Sequence, residues 1–149
     1  MSRRCFFIGH ADTPEDIFPG LDTAIEEQIV HNSVTEFYFG NHGRFDVLVY
    51  RALRVAKRRY PHIRCYLVPA YHPDDVQIDP PAGMDGIYCP HMESGSAHQA
   101  ISRTNRAMME QCDVLIAAVN RPGQEREALR YAQRIEKMEQ IRIVNLMTE

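Results

Sequence analysis

Apolar positions along this chain follow two rhythms that alternate from one end to the other. Short, mainly apolar runs fall in Arg4–Gly9, Thr35–Phe39, Ile63–Ala70, Asp113–Val119 and Ile141–Leu146. In the first, Cys5, Phe6, Phe7 and Ile8 are contiguous rather than alternating, as is typical of parallel strands covered on both faces. Between them the spacing becomes helical. Leu21, Ala24, Ile25 and Ile29 line one side of Leu21–Val30, while Glu26, Glu27 and Gln28 separate them. After Gly43 the stripe is Phe45, Leu48, Val49, Ala52, Val55 and Ala56, with Arg51, Arg54, Lys57 and Arg58 mostly away from it. Asp46 in the first turn and the basic cluster in the last both suit the helix dipole, and Pro61 ends the helix. Ser94 or Ser96 can cap a third helix reaching Gln111, with Ala97, Ala100, Ile101, Met108 and Cys112 inward. A charged fourth helix over Glu125–Met138 carries Ala128, Leu129, Ala132 and Ile135.

Strands that alternate with helices imply βαβ units. The expectation is an α/β chain forming one domain: a doubly wound, mainly parallel five-stranded sheet with helices on both faces. Tyr71–Asp85 is rich in turn formers and reads as a long loop, and Gly86–Cys89 as a short extended piece. Ligands of such sheets bind outside the carboxyl ends of the strands, near the point where strand order reverses. Gly9-His10, Gly40-Asn41, Ala70-Tyr71 and Val119-Asn120 are then expected along one edge.

The stretch Phe39–Asp46 joins an apolar run to a helix through Gly40 and Gly43. Glycines there let backbone approach a ligand closely, and the helix start favours negative charge. The competing reading is a plain strand-to-helix turn. Arg103 and Arg106 lie nearly one helical turn apart and can grip an anion together, or simply stand in solvent. His10, His42, His72 and His91 all fall in predicted loops, but no H-x-x-x-H pair occurs and no metal is expected.

Composition narrows the choices. The 149 residues are 44% hydrophobic and 25% charged, as in ordinary globular domains. A formal charge of -3 gives no overall basic footprint, so nucleic acid is not expected as the main partner. The N-terminal apolar stretch is too short for a signal segment or a membrane span. Cys5, Cys65, Cys89 and Cys112 are scattered without zinc spacing. They read as reduced thiols, those at Cys5 and Cys65 packed in strands, and a cytoplasmic location follows as the expectation.

Phe7-Ile8-Gly9-His10, Phe37-Tyr38-Phe39-Gly40-Asn41 with Gly43 and Phe45-Asp46, Tyr60-Pro61, and Ala100-Ile101 through Arg103, Asn105, Met108 and Asp113 together resemble the SLOG superfamily. That group is Rossmann-like and includes the YpsA-like proteins, the DNA-processing protein A family and the Lonely Guy phosphoribohydrolases. The nearest branch is the small YpsA-like one. The resemblance implies a nucleotide or nucleotide-derived ligand at the strand ends, held by Gly9, His10, Gly40, Asn41, Gly43, Asp46, Arg103, Arg106 and Asn120. Two departures stand out. Ala11 occupies a position where relatives often carry arginine, and Pro122-Gly123-Gln124-Glu125 replaces a second glycine-rich turn. The Pro-Gly-Gly-x-Gly-Thr signature of the phosphoribohydrolases and its following glutamate are absent, so the resemblance carries binding further than catalysis. A nucleotide N-glycosidase with Asp46 or Glu93 as acid or base is the rival expectation. A homo-oligomeric interaction module with a vestigial pocket is the third.

Overall fold

Runs of buried apolar residues organise the chain into a parallel sheet with helices on each side. The computed structural model describes residues 2–69, 79–90 and 97–147. In chain order the elements are β1 (Arg3–Gly9), α1 (Phe18–His31), β2 (Val34–Phe39), α2 (Arg44–Arg59), β3 (Arg64–Leu67), β4 (Gly86–Ile87), α3 (Ala97–Gln111), β5 (Val114–Ala118), α4 (Gln124–Glu136) and β6 (Arg142–Asn145). A single 3-10 turn, Glu15–Ile17, leads into α1.

All strand pairs are parallel, and the sheet order is β4-β3-β2-β1-β5-β6. The described residues therefore form six strands, one more than the sequence pattern predicts. The extra strand is Gly86–Ile87, too short to announce itself. It is held by Asp85 N–H on the Cys65 carbonyl and Tyr88 N–H on the Leu67 carbonyl, both at 2.8 Å. From β1 the chain builds outward through β2, β3 and β4, then returns through α3 to start β5 on the other side of β1. The reversal of strand order lies between β1 and β5.

Strand side chains alternate between two buried layers, as the pleat requires. Cys5, Phe7, Phe37, Phe39, Val114 and Ile116 pack with α1 and α2. Phe6, Ile8, Tyr38, Leu115, Ala117 and Val119 pack with α3 and α4. Helices thus cover both faces, which is why the central strand β5 is apolar and buried along its whole length. In α2 the buried stripe is Phe45, Leu48, Val49, Ala52, Leu53 and Ala56. Leu53 takes the place expected of Val55, which is 43% exposed on the flank. The substitution follows the 3,4 spacing more closely than the predicted stripe does. Cys5, Cys65 and Cys112 are buried free thiols. Burial pushes Cys65 and Cys112 up to about 12, which leaves them protonated at neutral pH. None of the described helices is long and apolar enough to cross a membrane.

Candidate functional site

The carboxyl ends of β1, β2 and β5 and the amino ends of α2 and α4 meet where strand order reverses. A cavity of about 220 Å³ opens there, lined by Gly9 at the end of β1, Ala11 after it, His42 before α2 and Asp46 in its first turn, Ile101 and Asn105 from α3, and Gln124 and Glu125 from α4.

Two glycines make this convergence sterically feasible. A Cβ on Gly9 would lie 2.2 Å from Phe45 Cγ, so only glycine lets the first residues of α2 tuck beneath the end of β1. A Cβ on Gly43 would lie 2.6 Å from the Ala11 Cα, where the two loops cross. Their contact is completed by Arg44 N–H, which donates to the Ala11 carbonyl at 2.8 Å.

Asp46 closes the Gly40–Gly43 turn. It is the third residue of α2, and its Oδ2 reaches back to accept the His42 backbone N–H at 3.1 Å. This resembles the return bond of a capping box, made here by the acid alone, because Gly43 at the N-cap has no side chain to contribute. Burial raises the Asp46 pKa above the usual carboxylate value, while the His42 imidazole, 3.8 Å away, and backbone hydrogen bonds from His42 and Gly40 oppose the rise.

His10 lies behind the cavity, with 2% of its side chain exposed. Its Nε2 accepts the Asn120 N–H at 3.1 Å, and its carbonyl accepts both the Thr13 hydroxyl at 2.6 Å and the Thr13 N–H at 3.1 Å. An accepting Nε2 assigns the proton to Nδ1, the nitrogen 3.8 Å from Glu125 Oε2. Burial lowers the His10 pKa, helped by Arg121 and opposed by Glu125 and Asp12, so the ring is neutral at pH 7. Arg121 in turn pairs with Asp12, and Glu15 engages Arg44 and Arg51.

The residues named by the sequence fall into distinct places. Gly9 and Asp46 line the cavity, and His10 supports it from behind. Gly40 leaves room for Asp46, whose Oδ2 would lie 3.0 Å from a Cβ there. Gly43 sets the loop crossing. Asn41 is exposed in that loop, and Asn120 acts through its backbone N–H. On α3, Arg103 is two residues from both Ile101 and Asn105, and at about 100° per residue it lies on roughly the opposite side from that cavity-lining pair. Arg106 faces α4, with its guanidinium 4.9 Å from the Tyr131 ring centroid. Glu93, His72, His91, the Ser94 and Ser96 caps and the Ala70-Tyr71 strand end lie outside the described residues.

Sequence reasoning missed Glu125, Gln124 and Asn105 as cavity residues. The available signals were a polar Asn105 four residues after Ile101, and a Gln-Glu pair directly after the Pro-Gly that follows β5. With Glu125 included, two carboxylates and two amides face one small space. Among the described lining residues there is no Lys or Arg. The cavity therefore favours hydroxyl and amino groups, which hydrogen-bond to carboxylates and amides, over a bare phosphate. Compared with known proteins, the chain matches no family model and no curated sequence.

Proposed function

We propose that this protein binds the nucleoside part of a nucleotide or nucleotide-derived small molecule in the cavity between the β1 and β5 ends. One observation carries the reading: a partly open cavity at the strand-order reversal, where ligands of doubly wound sheets bind, is lined by Asp46, Glu125, Asn105 and Gln124. Carboxylates suit ribose hydroxyls, and side-chain amides suit the edge of a base. At about 220 Å³ the space is below the usual range for a whole small-molecule site, so it holds one moiety while the rest extends outward. The resemblance to the SLOG superfamily, and to its YpsA-like branch, supports the same class of ligand.

Titration calorimetry with a panel of nucleosides and nucleoside monophosphates tests the reading. At least one panel member binds, and Glu125→Gln weakens it about tenfold, roughly 1.4 kcal/mol. Absence of binding across the panel refutes the proposal.

Asp46 and Glu125 also favour a second reading, cleavage of an N-glycosidic bond. Burial raises the Asp46 pKa, the direction a general acid needs, whereas Glu125 is 30% exposed at the start of α4. Asp46 would protonate the departing base while Glu125 activated water. Incubation with nucleoside monophosphates and assay for released base decides between turnover and binding alone.

A further inference from the structure

The strand-end cavity has neighbouring openings on the outer surface of the molecule. Asn105 and Gln124, which line it, also line a neck of about 50 Å³ between α3 and α4. Arg106 and Glu127 carry the neck into a trough on α4 bordered by Arg130, Arg134 and Lys137. Three neighbouring openings, each sharing two lining residues with the next, thus lie in a row from the buried Asp46 to an exposed helix face.

Charge changes sign along that row. The inner end presents Asp46 and Glu125, and the outer end presents Arg106, Arg130, Arg134 and Lys137 against Glu127. Other cations near the mouth are engaged elsewhere, Arg121 with Asp12 and Arg44 with Glu15. At the middle of the row the Tyr131 ring is held between two guanidinium groups, with Arg106 at 4.9 Å and Arg134 at 5.4 Å from its centroid. Tyr131 Oη donates to Glu110 Oε2 at 2.9 Å, which fixes the ring against α3. From Gln124 to Arg134 is ten residues of helix, about 15 Å at 1.5 Å per residue.

We infer that the α3/α4 trough is a second subsite that takes the distal phosphates of an elongated ligand, such as a dinucleoside polyphosphate, whose nucleoside end occupies the strand-end cavity. The inference rests on the nucleotide-binding reading above and specifies its ligand class. A monophosphate seated in the cavity is too short to reach Arg130 and Arg134, whereas a phosphate chain running along the seam meets the guanidinium groups in turn. Arginine suits this role, because its planar donors match phosphate oxygens.

Calorimetry with three kinds of probe tests it: nucleoside monophosphates, the matching dinucleoside tetraphosphates, and inorganic tripolyphosphate. The Arg130→Gln/Arg134→Gln double variant changes only exposed side chains, and its melting temperature checks its fold. The wild type binds the tetraphosphate at least about tenfold more tightly than the monophosphate. The double variant loses that advantage and its tripolyphosphate binding, while monophosphate affinity is unchanged. Equal affinity of the wild type for the short and long nucleotides, or an undiminished advantage in the variant, overturns the second subsite and leaves the cavity reading intact. If no nucleotide binds but tripolyphosphate does, and the variant loses it, the cavity reading fails and the trough alone stands as an anion site.

Discussion

Replacing Gly9 with alanine adds one methyl group at the point where β1 passes over α2. That methyl would lie 2.2, 2.4 and 2.8 Å from Cγ, Cδ2 and Cβ of Phe45, a side chain with no exposed surface. Rotating the ring does not relieve the contact with Cβ, which moves only with the backbone. The first turn of α2 must therefore retreat by about 1 Å, into a core packed at crystal-like density. Overpacking of this kind costs about 1–3 kcal/mol, and the contact with Cβ argues for the upper part of that range. For a chain of this size about 2–3 kcal/mol lowers the melting temperature by roughly 4–12 °C. Gly20→Ala is the matched control, because nothing lies within 4 Å of a Cβ at that position in α1. There the same methyl restricts the unfolded chain and stabilises by about 0.5–1 kcal/mol. Thermal melts followed by circular dichroism read both variants. A Gly9→Ala protein that melts within about a degree of wild type would refute the close packing of α2 under β1.

Two further predictions concern pH. His10 has a lowered pKa in the fold, so between about 6.5 and that lower value the unfolded chain binds more protons than the folded one. Its contribution is fully present above about pH 6.5 and is lost as pH falls toward the folded pKa. His10→Gln flattens the dependence of melting temperature on pH in this window, and matching slopes in the two proteins would remove the neutral, Asn120-bonded imidazole. Asp46 behaves in the opposite sense, because its folded pKa is raised. Its carboxyl favours the fold below the unfolded pKa and loses that contribution as pH rises through the folded one. Asp46→Asn keeps a carbonyl oxygen for the His42 N–H and removes the buried charge. Relative to wild type it gains stability between pH 4 and pH 7, and a difference that shrinks over that range would show that bracing the turn needs the full carboxylate.

The fold was legible where burial is symmetrical. Val114–Ala118 is buried on both faces, so its sequence is apolar without interruption and its strand character does not depend on a partner's details. Ala128, Leu129, Ala132 and Ile135 fill the inner face of α4 as their spacing requires. Gly86–Ile87 was legible only as an extended piece, since its standing as a strand depends on partners some twenty residues back. The Asp85 carboxylate accepts the Cys65 N–H at 2.8 Å and the Lys57 ammonium at 2.7 Å. The strand ends of the site announced themselves through glycine, because backbone crossings such as Gly43 over Ala11 leave room for nothing else. Asn105 and Glu125 did not. A polar residue on a helix can face solvent or a neighbour, and the rotation of α3 and α4 over the sheet decides which.

That rotation also changes what the helix starts mean. Read along the chain, a glycine turn before a helix invites an anion, since the unpaired N–H groups there amount to about half a positive charge. In the folded protein each of the two helix starts at the cavity brings an acid of its own, Asp46 in α2 and Glu125 in α4. A full negative charge more than offsets the half charge beneath it, so the recess gains acceptors for hydroxyl and amino groups. Positive charge gathers instead along the α3/α4 seam, where Arg106 and Arg134 flank Tyr131. A ligand matched to both regions would carry an uncharged polar group for the one and phosphates for the other. The nucleoside and phosphate halves of a nucleotide derivative have that polarity, and neither half alone would use both regions.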